Sequence, residues 1–194
     1  MSIILERGMG MLTDVEISEA ELSLRLGTKE KSAETEECIQ QLLKHADCRY
    51  CYVRVPVTFF TSDRFMLGDF TVTSRALGKN LKECKECFLL SVTIGSGVDR
   101  LIARLGVTSP SRQFITDGAA SALAEGVCER VCNLLSEQNR CRPRFSPGFG
   151  DFLLTYQPEL LRLTGAAKQI GLTLTDAYFL TPFKSVTAVM GIIK

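Results

Sequence analysis

The residues able to do chemistry in this chain are few, and their rarity is informative. Histidine occurs once, at His45, and tryptophan is absent. A Ser-His-Asp hydrolase would have to run through His45, and a two-histidine zinc site cannot be built within one chain. His45 lies in Leu42-Leu43-Lys44-His45-Ala46-Asp47-Cys48, where an imidazole reads as a helix C-terminal residue favoured by the dipole. The eight cysteines include two C-x-x-C pairs, Cys48/Cys51 and Cys84/Cys87. Such pairs can hold a tetrahedral zinc, because a two-residue gap lets both sulfurs face one ion. Here residues 52–83 separate the pairs, more than the roughly 15–20 usual for such sites. Neither pair contains the Gly or Pro that shapes a zinc knuckle, and Cys87 leads straight into an apolar run. Zinc is therefore the lesser reading, and cysteine as a small core hydrophobe the better one. Cys128 and Cys132 stand four apart on one helical face and read as packing residues.

The densest chemistry lies at 140–151, Arg-Cys-Arg-Pro-Arg-Phe-Ser-Pro-Gly-Phe-Gly-Asp, a basic and Pro/Gly-rich loop. Arg144 supplies a rigid fork of donors suited to a carboxylate. Pro147 restricts the backbone, and Gly148 and Gly150 allow a ligand to touch the main chain. Phe145 and Phe149 offer flat surfaces for a ring. This set suits a small ligand with an anionic end and an aromatic base, such as a nucleoside derivative. The same residues could equally form a tight helix-to-helix loop, with Arg144 bonded to carbonyls and both rings in the core.

The elements that position this loop follow from patterning. Ser18-Glu19-Ala20-Glu21 reads as a capping box opening a short helix closed by Gly27. A second helix is expected over 32–46, with an acidic start, a basic end and Ile39, Leu42, Leu43 and Ala46 on one face. Residues 50–61 alternate through Val53, Val55 and Val57 and read as a strand. A short strand at 70–72, a short helix over 74–81 and a buried strand over 88–94 follow. Val98, Leu101, Ile102 and Leu105 then form a helical set. Ser109-Pro110 opens the longest helix, to about 137, with Phe114, Leu123, Val127, Val131 and Leu134 as its apolar stripe. Gly118 and Gly126 inside it each cost roughly 1 kcal/mol against Ala, which points to close approach by a neighbour. A helix from Pro158 to Gly171 and two strands, 172–180 and 185–193, complete the reading. Helices and strands mix without βαβ alternation, so the expectation is a single α+β domain over 1–194: a twisted, mainly antiparallel sheet flanked by helices.

Composition sets the outer bounds. The chain has 194 residues, 45% hydrophobic and 23% charged, enough for a sizeable core. Its net charge of +1 gives no field for nucleic acid or anionic lipid. Arg140, Arg142 and Arg144 alone would bind nucleic acid only weakly and in a salt-sensitive way. No apolar run is long enough to span a membrane, and the start lacks the order of a signal peptide. A reduced cytoplasmic protein is expected.

Residues 144–152, Arg-Phe-Ser-Pro-Gly-Phe-Gly-Asp-Phe, resemble the signature loop of the activation (S-adenosylmethionine-binding) domain of cobalamin-dependent methionine synthase, most closely its short stand-alone forms. The likeness continues through Ile170-Gly171-Leu172-Thr173-Leu174-Thr175 and through 181–192. Upstream, Thr93-Ile94-Gly95, Val98-Asp99-Arg100 and Leu123-Ala124-Glu125 fit the same family. The resemblance implies an accessory subunit that binds S-adenosylmethionine and supports reductive methylation of cob(II)alamin held by a partner corrinoid protein. A flavodoxin-like protein would donate the electron, and the chain would not be active alone. It further implies ligand contacts at Arg144, for the carboxylate or ribose region, and at Ser146, Gly148 and Phe149. Glu125 matches a helix carboxylate that faces the ligand's cationic groups, and Ser185 and Val186 match the family's final strand. Phe149 replaces the tyrosine of the long enzymes, the chain ends before their C-terminal extension, and no counterpart of their N-terminal Asp contact is identified. A second implied role is that of a corrinoid-protein capping module that makes no use of S-adenosylmethionine.

Overall fold

In a computed structural model, residues 4–28 and 32–193 are described. Strand β1 (Glu6–Met11) precedes helices α1 (Glu19–Leu26) and α2 (Ala33–His45). Three strands follow, β2 (Arg49–Phe59), β3 (Arg64–Leu67) and β4 (Phe70–Thr73), then α3 (Arg75–Asn80), β5 (Glu86–Thr93), α4 (Ser96–Thr108) and α5 (Pro110–Ser136). Strand β6 (Arg140–Cys141) leads to α6 (Gln157–Thr164), α7 (Ala166–Ile170), the short β7 (Thr173–Leu174) and β8 (Leu180–Thr181), and finally β9 (Ser185–Ile193). The main sheet runs β4-β3-β2-β5-β9-β6 with every pairing antiparallel, and β1 shares the outer edge of β2 with β3. This is the α+β architecture expected.

Strand alternation divides the core in two. Phe88, Leu90 and Val92 of β5, with Ala188, Met190 and Ile192 of β9, face α5. Leu89 and Val189 face the opposite way, toward Val53, Val55, Leu77 and Leu160. Because β5 is covered on both faces, its apolar run is nearly continuous rather than alternating. On the first face α1, α2 and α4 gather around α5. The two glycines of α5 are explained by that crowding. A Cβ at Gly126 would lie 3.0 Å from the Glu16 carbonyl oxygen, and one at Gly118 2.9 Å from a Leu26 methyl.

Local signals fixed the helix ends. Ser18, Ser32 and Ser74 each accept a bond from a backbone N–H in the first turn of their helix, and Gly27 closes α1 in the left-handed conformation. His45 is the last residue of α2, its Nδ1 2.9 Å from the Gln41 carbonyl oxygen.

Several expectations require correction. The helix from Pro158 is broken at Gly165 (φ 69°), which ends α6 before α7 resumes. Residues 172–180 are not a strand. They form the two-residue arms of β7 and β8 around a turn in which the Thr175 hydroxyl accepts from Phe179 N–H. Phe114 is 59% exposed and lies off the buried stripe of α5; Leu123, Val127 and Val131 are buried as expected, joined by Ala119 and by Leu135 in place of the half-buried Leu134. Strands β1, β3 and β6 had no clear sequence signal. β1 contains Gly8 and Gly10 because the rings of Tyr52 and Tyr50 lie where their side chains would stand. The two C-x-x-C pairs do not converge. Cys48, Cys51 and Cys87 belong to three different core clusters.

Candidate functional site

The segment after α5 runs along the free edge of β9 as an interrupted strand. Cys141 pairs with Ile192, Arg142 N–H donates to the Gly191 carbonyl, and Phe145 exchanges two 2.8 Å bonds with Val189. Strand alternation therefore sends Phe145 to one face of the sheet and Arg144 to the other. Phe145 packs into the core beside Phe152, at 6.4 Å between ring centroids, so it is a wall of the core and not a free ring. Arg144 reaches α5, where Nη2 meets Glu125 Oε2 at 2.5 Å, with about a third of each side chain exposed. The guanidinium is thus held by a carboxylate and not by its own main chain.

A cavity of about 380 Å³ opens beside this pair, between α1 and α5. Glu21, Arg25, Glu125, Glu129 and Arg144 reach its walls, and Gly126 and Ala122 leave its floor open. Arg25 is already paired with Glu21 at 2.8 Å. The cleft therefore carries three carboxylates against two guanidinium groups. Such an arrangement can receive a cation and a carboxylate together by exchanging partners. Sequence reasoning identified Arg144 and Glu125 but missed Glu21, Arg25 and Glu129. The (i, i+4) spacing of Glu21 and Arg25 was visible, but nothing local said which helix α1 would face.

Beyond Arg144 the chain turns. Pro147 has no N–H to continue the pairing with β9, and Gly148 (φ 94°) and Gly150 (φ 57°) adopt conformations that disfavour side chains. Ser146 is buried, and its Oγ has no hydrogen-bond partner among the described residues. Gly148 N–H donates to the Phe152 carbonyl at 2.7 Å, and a Cβ there would lie 3.2 Å from Leu154. Gly148 is exposed with Leu154 at its side, and the cavity lies beside Arg144 instead. Phe149 projects outward, 66% exposed.

The loop is anchored by Asp151, a role its sequence position did not reveal. One carboxylate oxygen accepts from the Ser74 hydroxyl (2.6 Å) and Ala76 N–H (3.0 Å), and the other from Arg75 N–H (2.8 Å). Asp151 is thus a second cap on α3, supplied from distant sequence. These donors hold its carboxyl down at about 2, the Ser74 hydroxyl contributing most.

Ser185 and Val186 stand at the start of β9, away from Arg144. The Ser185 hydroxyl donates to the Pro182 carbonyl (2.6 Å) and lies 2.8 Å from Thr93 Oγ1, so it ties the strand start together. Val186 faces the α5 side and packs on that core. The structure thus brings Arg144 and Glu125 together, places Ser146 and Gly148 in the adjoining turn, and leaves Phe149, Ser185 and Val186 outside the cavity wall.

The thiols along α5 report the reach of Arg144. Cys132 is held below the ordinary thiol value because the Cys128 thiol donates to it, and the Arg144 guanidinium adds to this against the cost of burial. Cys128 is pushed upward by the same thiol pairing and by burial.

No family model and no curated protein matches the chain. Among solved structures it superimposes on one described as the MetH reactivation domain bound to AdoHcy, with a TM-score of 0.69. The match covers 98% of this chain and 80% of that one, at 13% identity. The chain has the fold of that reactivation domain. At this identity the likeness carries the architecture alone. Among the described residues no helix is long and apolar enough to cross a membrane.

Proposed function

We propose that the chain is a single activation-type domain that binds S-adenosylmethionine in the cleft between α1, α5 and Arg144. It works with a partner corrinoid protein, methionine synthase or a relative, that holds cobalamin. The observation that carries this reading is the Arg144–Glu125 pair on the wall of a cavity of about 380 Å³. Ligand pockets commonly measure roughly 300–1,000 Å³, so a nucleoside-sized molecule is of the right scale. The neighbour of the same fold is described with AdoHcy bound, which supports a ligand of this class.

The residues present fit that ligand. Arg144 takes the carboxylate through its planar fork. Glu125, released from Arg144, takes the ammonium, and the further carboxylates of Glu21 and Glu129 favour a cation in the cleft. The Ser146 hydroxyl, buried without a partner among the described residues, is a group that a polar ligand atom can satisfy, relieving a cost of about 1–3 kcal/mol. Gly148 keeps the turn narrow, and the exposed Phe149 ring is an apolar surface on the same loop. Ser185 and Val186 support the site by fixing the start of β9. When bound, S-adenosylmethionine supplies the methyl group that, with one electron from a flavodoxin-like donor, returns cob(II)alamin on the partner to methylcobalamin. This chain then needs no general base, in keeping with its single histidine.

Calorimetry with AdoHcy tests the reading. Saturable 1:1 binding that weakens in Arg144→Ala is expected. Absence of heat at millimolar ligand, with binding to a cobalamin-loaded partner intact, would overturn it in favour of a capping module.

A further inference from the structure

A second cleft, of about 540 Å³, lies between α3 and the tip of the β2–β3 hairpin. Its walls combine two aromatic rings, Phe59 and Phe60, with three cations, Arg75, Lys79 and Lys82, against one carboxylate, Glu83. Among the described residues none of these three cations forms an ion pair. We propose that this cleft is a ligand site for a small molecule with a flat apolar body and an anionic group.

The walls are preorganised. Phe59 packs on Phe65 with ring centroids 5.1 Å apart, and Arg64 lies 6.0 Å from the centre of the Phe60 ring. The hairpin tip is tied by the Thr61 hydroxyl, which donates to Asp63 and accepts from Arg64 N–H. Gly78 lets the Ser62 carbonyl rest directly on α3, since a Cβ there would collide with it. That contact sets the depth of the cleft while Arg75, Lys79 and Lys82 remain free to turn toward it. A flat apolar body stacks on the phenylalanines, and its anionic group meets the cations at the helix face. Neither half suffices, since exposed cations alone hold an anion weakly and two rings alone hold little.

The test uses amide NMR titration of the full chain with three probes: 2-naphthoate, 2-naphthalenemethanol and inorganic phosphate. Naphthoate should shift amides of 59–62 and 75–83 along one saturable curve, at least about tenfold more tightly than the other two probes. Phe60→Ala and Lys79→Glu, both at exposed positions, should each weaken naphthoate by about tenfold while leaving AdoHcy binding unchanged. Three results would refute the proposal. Naphthalenemethanol could match naphthoate, showing an apolar patch only. Shifts could scatter over Phe114, Phe149 and Phe183. Saturation could fail below about 10 mM.

Discussion

Replacing Arg144 with alanine separates the structural from the binding role of the ion pair on α5. Both side chains are about one-third exposed, so water screens their attraction and the pair contributes only about 0.5–1 kcal/mol to folding. Binding is different. A charge-assisted contact to a ligand carboxylate is worth about 1.5–3 kcal/mol, or roughly 10- to 150-fold in affinity. Since Arg144 must first leave Glu125, the net effect should fall near the lower end, about 10- to 30-fold. Calorimetry with AdoHcy measures the binding loss, and urea unfolding measures the stability loss. An independent readout comes from Cys132, whose alkylation by iodoacetamide should require a higher pH once the guanidinium is gone. A folded Arg144→Ala protein with unchanged AdoHcy affinity would remove Arg144 from the site. An unchanged Cys132 profile would show that the guanidinium does not act on that thiol.

Asp151→Ala should loosen α3 and the Arg144 loop together, seen as faster amide exchange at 75–77 and a lower Tm. The native Asp151 carboxyl should titrate near 2 by NMR, against about 3.9 in the unfolded chain. Its stabilising contribution is therefore complete above pH 4 and is lost as pH falls from 4 through 2. Gly78→Ala should destabilise clearly, because a backbone carbonyl would have to move. Gly118→Ala should stay within about 1 kcal/mol of the parent, since only a Leu26 methyl must yield and the helix gains propensity. Phe88→Ala, at a fully buried position, should cost about 3–5 kcal/mol in denaturant unfolding.

Arg144 and Glu125 show what was legible. A rigid fork in a Pro/Gly-rich turn and a carboxylate on a helix are local features, and both reach the candidate cavity. Capping serines and the alternation of β2 were legible for the same reason, because each acts within a few residues of itself; the glycines of α5 signalled a close neighbour but not that it would be Leu26 or Glu16. Phe145 shows the limit. It stands beside Arg144 in sequence but on the opposite side of the sheet, because pairing with Val189 sets the alternation. The anchor from Asp151 to α3, the approach of α1 to Arg144 and the pairing of β1 with β2 join residues far apart along the chain. No local pattern encodes such meetings. They are decided when apolar faces are buried together, and only then do the charges that line each cleft find their neighbours.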